Sequence, residues 1–133
     1  MRILCLLLLL ATLSAAQPGG YSLDGLHPGM EASQVPWLEP SAKDGQHSHQ
    51  GTTVELLAGR VVGVWGRSLQ SQQKNVVKLG DPDPQSVLGK PDRTLYGCGP
   101  DGGQQVLFYD RHGLLVTVEN GKNVVGLCLQ SSR

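Results

Sequence analysis

His47-Ser48-His49 is the stretch whose residue types and spacing come nearest to metal chemistry. Histidines at alternate positions project to one side of an extended chain, and a tetrahedral site then needs a third and a fourth ligand. Glu39 and Asp44 are the acids close by, His27 and His112 stand elsewhere in the chain, and the paired Cys/His spacings of zinc sites are missing. Solvated histidines in a polar loop are the simpler expectation, so no metal ligand is assigned. Nucleophilic catalysis would leave a trace such as Gly-x-Ser-x-Gly, and none is present. Asp110-Arg111-His112 reads as a hairpin turn, with Asp110 able to bond its own turn backbone. The run Gly97-Cys98-Gly99-Pro100-Asp101-Gly102-Gly103 lacks the Lys-Ser/Thr of a phosphate loop, and Pro100 has no N–H to give. No catalytic residue and no cofactor are therefore expected.

Binding chemistry is better supplied. The aromatic residues are Tyr21, Trp37, Trp65, Tyr96, Phe108 and Tyr109. Phe108 and Tyr109 are consecutive on a candidate strand, so their rings point to opposite faces and only one can join the core. With Tyr109 outside, beside Trp65 or Tyr96, an amphipathic patch forms of the kind that anchors protein partners. Tyr109, Trp65 and Tyr96 are the expected binding residues.

The elements that must position them are clearest in the C-terminal third. Thr94-Leu95-Tyr96, Gln105 to Tyr109, Leu114 to Glu119 and Val124 to Leu129 read as four strands. Asn120-Gly121 tolerates positive φ, and Gly113 suits the left-handed position of a hairpin with a bulge. On the third of these strands Leu114, Val116 and Val118 share one face and Leu115, Thr117 and Glu119 the other, so one face is core. As a simple meander the four would hold Cys98 and Cys128 three strand spacings apart, too far for a disulfide; bonding would require the first strand to pair out of order. Upstream, Val54 to Leu57 and Arg60 to Trp65 flank Ala58-Gly59 as a tight hairpin, and polar Ser41 to Thr53 is a loop or a weak edge strand. Two short helices are expected. One starts near Glu31 and is cut short by Pro36; the other is capped by Asp83, opened by Pro84 and stopped by Gly89.

The chain has 133 residues, with 11 Lys+Arg against 11 Asp+Glu, 18 Gly and 8 Pro. That length suits one domain, and the charge balance gives no basic footprint for nucleic acid. Arg2, the apolar run Ile3 to Leu13 and the small residues Ser14-Ala15-Ala16 have the form of a signal peptide cut before Gln17. The expectation is a signal at 1–16 and one secreted or periplasmic domain at 17–133, with no transmembrane anchor after cleavage.

Gln34-Val35-Pro36-Trp37-Leu38-Glu39-Pro40 echoes Gln85-Ser86-Val87-Leu88-Gly89-Lys90-Pro91, and Val54 to Val64 echoes Val106 to Val116. Two tandem helix-plus-hairpin half-repeats would produce this pattern. His27-Pro28-Gly29-Met30 with Val35, then Leu88-Gly89-Lys90-Pro91-Asp92, then Phe108-Tyr109-Asp110-Arg111-His112-Gly113 also resemble a pattern of small bacterial envelope proteins. These are the BamE/SmpA/OmlA-like lipoproteins and their relatives with the beta-lactamase-inhibitor-protein-like fold. Gln17 stands where their lipid-bearing Cys would be. The resemblance implies a non-enzymatic scaffold presenting a sheet face to another protein. The expectation is thus an α+β domain, short helices packed on an antiparallel sheet, that binds another envelope or secreted protein. A small hydrolase-like enzyme is the alternative, and a metal-binding protein using His47 and His49 the third reading.

Overall fold

The structure, a computed structural model, describes residues 20–97, 103–120 and 122–131. The expected signal peptide and Cys98 lie outside the described residues. Ten strands are present: β1 (Tyr21–Leu23), β2 (Gly45–His49), β3 (Thr52–Leu57), β4 (Arg60–Gly66), β5 (Ser68–Ser71), β6 (Lys74–Lys78), β7 (Arg93–Tyr96), β8 (Gln104–Tyr109), β9 (Leu114–Glu119) and β10 (Asn123–Gln130). They form a three-stranded sheet, β1-β5-β6, and a seven-stranded sheet, β2-β3-β4-β10-β9-β8-β7. Every pairing is antiparallel.

This overturns the expected α+β packing. The large sheet is covered by a second sheet and irregular chain, and α1 (Gln85–Leu88) is the one α-helix among the described residues. The expected first helix is a single 3-10 turn, Ala32–Gln34, opened by the Gln34 side chain accepting the Glu31 N–H at 2.9 Å. It stops at Val35, which is extended at φ −86° and ψ 112°, because the ring of Pro36 disfavours helical backbone in the residue before it. At α1, Gly89 ends the helix at φ 83°, but Asp83 sits at φ 45° and makes no side-chain cap; its carbonyl instead accepts the Ser86 hydroxyl.

Turn chemistry fixes the hairpins. Ala58 and Gly59 both have positive φ, 53° and 76°, the turn that matches strand twist. The Asp44 carboxylate accepts their N–H groups at 2.8 and 3.2 Å. Gly113 is left-handed at φ 64°, and a side chain there would collide with the Gln130 carbonyl.

Period-two alternation then sorts the large sheet. Val54, Val64, Leu129, Leu114 and Tyr109 make one buried cross-strand row, and Thr52, Leu127, Val116 and Leu107 the next. Leu23, Leu69 and Val77 of the small sheet, with Leu26 and Val35, complete the core. The four C-terminal strands do form a meander. β7, which ends just before Cys98, lies three strands from β10, which carries Cys128.

Backbone bonds also expose a twofold pattern. Gly29 donates to Val61 O (2.7 Å), Val61 to Met30 O (2.8 Å) and Ala32 to Gly59 O (2.9 Å). Gly80 donates to Val124 O (2.8 Å), Val124 to Asp81 O (2.9 Å) and Asp83 to Lys122 O (2.9 Å). Both sets are followed by a bulge, at Val62 and at Val125. The strands β3-β4 therefore correspond to β9-β10, and not to β8-β9 as the helix-plus-hairpin half-repeat requires. Each half is a turn followed by a meander that ends in a central strand. The pseudo-dyad passes through the paired Trp65 and Cys128, flanked by Val64↔Leu129 and Gly66↔Leu127.

Candidate functional site

Opposite the core, one cross-strand row runs the full width of the large sheet: Ser48, Thr53, Trp65, Cys128, Leu115, Phe108 and Arg93. Its centre is apolar and its side chains are half-buried for the most part. Gly63 lets the Trp65 ring lie flat along the sheet, since a Cβ at that position would sit 3.2 Å from two ring carbons. Cys128, directly across from Trp65 on β10, is buried, and burial pushes its thiol up to about 11. Such a thiol is protonated at neutral pH and is a poor nucleophile. At the other end the Arg93 guanidinium stacks 4.3 Å above the Phe108 ring and is held there by Asp110 through two bonds, at 3.2 and 3.0 Å. Asp110 is thereby drawn away from the turn bond expected of it.

The three expected binding residues do not meet. Trp65 lies on this open face. Tyr109 is only 6% exposed and points into the core, its hydroxyl donating to Gly89 O at 2.8 Å. Burial raises its pKa. The expectation that Tyr109 faces solvent is corrected: Leu107 and Tyr109 alternate onto the buried face, and the Gly89 carbonyl satisfies the one polar atom that burial would strand. Phe108 takes the outer place. Tyr96 is 69% exposed on the edge strand β7, but in register with Gln105 and Val118 it projects from the side of the sheet opposite to Trp65. Leu115 and Phe108 were missed by the sequence reading, although the alternation of Leu114, Val116 and Val118 already places Leu115 outside.

The histidines are placed at the sheet's other edge. His47 and His49 project from the core side of β2, beside an open depression of about 350 Å³ lined also by Trp37, Leu38, Glu39, Ala42 and Ser48. His47 Nε2–H donates to Lys43 O at 2.6 Å. The His49 ring stacks on Trp37, centroids 5.3 Å apart. Asp44 is spent on the β3-β4 turn, His27 bonds Pro28 O, and His112 lies edge-on to Tyr21 at 4.8 Å. Among the described residues no group of three His, Cys, Asp or Glu is placed to hold a metal ion. Among those same residues no helix is long and apolar enough to cross a membrane.

No known family model matches the chain, and no curated protein or solved structure matches it either. The resemblance to the BamE-like lipoproteins rests on the turn and core motifs alone.

Proposed function

We propose that this chain is a non-enzymatic binding module, exported to a secreted or periplasmic location, that presents the open face of its large sheet to another exported protein. The observation that carries this reading is the apolar centre of that face, Trp65, Leu115 and Phe108 on three strands of one rigid sheet. Aromatic side chains on a preformed surface bring large contact area at small entropic cost, and such anchors dominate interfaces. The enzyme alternative has less behind it, because the thiol of Cys128 is held protonated and Asp110 is paired with Arg93.

The test replaces Leu115 with Glu, which puts a charge at the centre of the face without entering the core. A photo-cross-linking residue at Phe108, activated in the native compartment, reports what lies against it. One defined protein adduct in the parent, lost when Leu115→Glu is added with an unchanged melting temperature, supports the reading. No adduct, or an adduct indifferent to the charge, removes it. Turnover in a broad hydrolase screen would put the enzyme reading in its place.

A further inference from the structure

The pseudo-dyad makes β2 the counterpart of β8, with Ser48 equivalent to Phe108, His47 to Leu107 and His49 to Tyr109. The outer edge of β8 is occupied by β7, and the Phe108 carbonyl accepts the Asp92 N–H at 2.8 Å. β2 is the last strand on its side of the sheet. Edge strands are ordinarily guarded by lysine, proline or a covering element, and Gly45-Gln46-His47-Ser48-His49 contains neither residue. The same strand carries His47 and His49 on one face. The Lys43 carbonyl can only accept, so it fixes the proton of His47 on Nε2 and leaves the Nδ1 lone pair free, as backbone carbonyls do behind metal-ligating histidines. The depression beside His47 and His49 leaves room for further ligands.

We propose that two copies of this chain pair β2 with β2 antiparallel about Ser48, and that His47 and His49 of both copies close a four-imidazole site for zinc. Pairing about Ser48 sets His47 directly across from His49 of the second copy, on the face both rings already use. A twofold contact of this kind uses one surface twice and closes on itself. The occupant is a second copy because the chain supplies two of four ligands on a self-complementary edge, and because its basic and acidic residues nearly balance, so two copies approach with little net repulsion. Imidazole suits zinc, and four protein nitrogens fill its tetrahedral shell, which makes the site structural. This edge is separate from the open face, so the proposal stands or falls apart from the binding reading.

Sedimentation velocity on the full chain tests it, first in EDTA and then with half an equivalent of zinc chloride per chain. A single-chain species should convert to a two-chain species with zinc, and cobalt(II) in place of zinc should show the visible absorption of tetrahedral nitrogen ligation. His47→Ala and His49→Ala, at a half-buried and an exposed position outside the core, should abolish both signals with little change in melting temperature. In Ser48→Cys, zinc followed by mild oxidation should give a cross-linked pair that does not form in EDTA, since directly opposed residues lie within disulfide reach. A chain that stays single in zinc, a dimer equally strong in EDTA, or a zinc dimer that survives both histidine variants overturns the proposal.

Discussion

Replacing Asp24 by Ala should uncouple the small sheet from the large one. Asp24 leaves β1 at φ 52° and its carboxylate accepts three bonds: from the Thr52 hydroxyl at 2.6 Å, the Arg67 N–H at 3.0 Å and the Ser68 N–H at 2.9 Å. Thr52 is on β3 and Ser68 on β5, so one side chain at the end of β1 ties the two sheets together. Bonds to a charged acceptor contribute ~1.5–3 kcal/mol each when shielded. The Arg67 N–H is exposed and water can replace its partner; the Thr52 hydroxyl and the Ser68 N–H are the two that count. Alanine also tolerates the left-handed backbone less well than Asp, by ~1 kcal/mol. Both bonds are only part-buried, so with the lower figure for each the sum is about 4 kcal/mol, a large part of the ~5–15 kcal/mol that holds a domain of this size. Asp24→Asn keeps the backbone preference and one acceptor oxygen and should cost about half as much. Gly66 supplies an independent check, because a Cβ there would lie 2.7 Å from Asp24 Oδ2. Gly66→Ala should therefore be strongly destabilising in the parent and much less so in the Asp24→Ala background. Urea unfolding of the single and double variants measures both terms. An Asp24→Ala loss below ~1 kcal/mol, or additive effects of Asp24→Ala and Gly66→Ala, would refute the reasoning.

Gly113→Ala, which forces a Cβ at φ 64° against the Gln130 carbonyl, should cost ~3 kcal/mol or more in the same urea assay. Tyr109→Phe should cost ~1 kcal/mol for the lost bond to Gly89 O, and Tyr109→Ala ~3–5 kcal/mol for the cavity, read as successive drops in melting temperature. Ala58→Asn turns the β3-β4 hairpin into Asn-Gly at two positive-φ positions and should stabilise by ~0.5–1 kcal/mol, seen as a higher urea midpoint. Cys128, raised from 9.0 to about 11 by burial, keeps its proton in the folded state after the unfolded chain has lost its own. The native state then binds more protons than the unfolded state between these values, so this contribution is complete below pH 9.0 and falls away toward pH 11. Cys128→Ala should flatten the fall in stability over that window.

The hairpin turns and the C-terminal meander were legible because their signals are local. Ala58-Gly59, Gly113 and the alternation through Leu114, Val116 and Val118 each specify their conformation within a few residues. The second sheet was not legible. Its strands are three to five residues long, and Ser68-Leu69-Gln70-Ser71 buries Leu69 alone, which no periodicity can announce. Of the two expected short helices, the one between Pro84 and Gly89 is present as α1 although Asp83 does not cap it, whereas the one near Glu31 is only a 3-10 turn, too short before Pro36 to propagate, since a first helical turn fixes several residues for one bond. Tyr109 was misplaced because its adjacency to Phe108 shows that one ring must face outward but not which one. The strand's own alternation from Leu107 decides the matter, and the Gly89 carbonyl that makes burial tolerable comes from a loop twenty positions away.

The halves diverge where their correspondence is most informative. In the second half Leu107 and Tyr109 reach inward, Leu88 of α1 packs against the core, and Gly89 receives the tyrosine hydroxyl. Counting from the equivalent pair Gly29 and Gly80, Trp37 takes the place of Leu88, and it stacks on His49, the counterpart of Tyr109. The corresponding positions thus come in two versions, an apolar one in which Leu88, Leu107 and Tyr109 help close the core, and a more polar one in which an indole stacks on an imidazole beside an open depression. A core needs the first version at only one end of the sheet if the other end is to meet something outside the chain. The polar version sits on the unguarded edge, β2, and the apolar version behind the strand that covers its counterpart. On that reading, restoring the apolar pair with His47→Leu and His49→Tyr should stabilise the first half while removing the imidazoles from the edge.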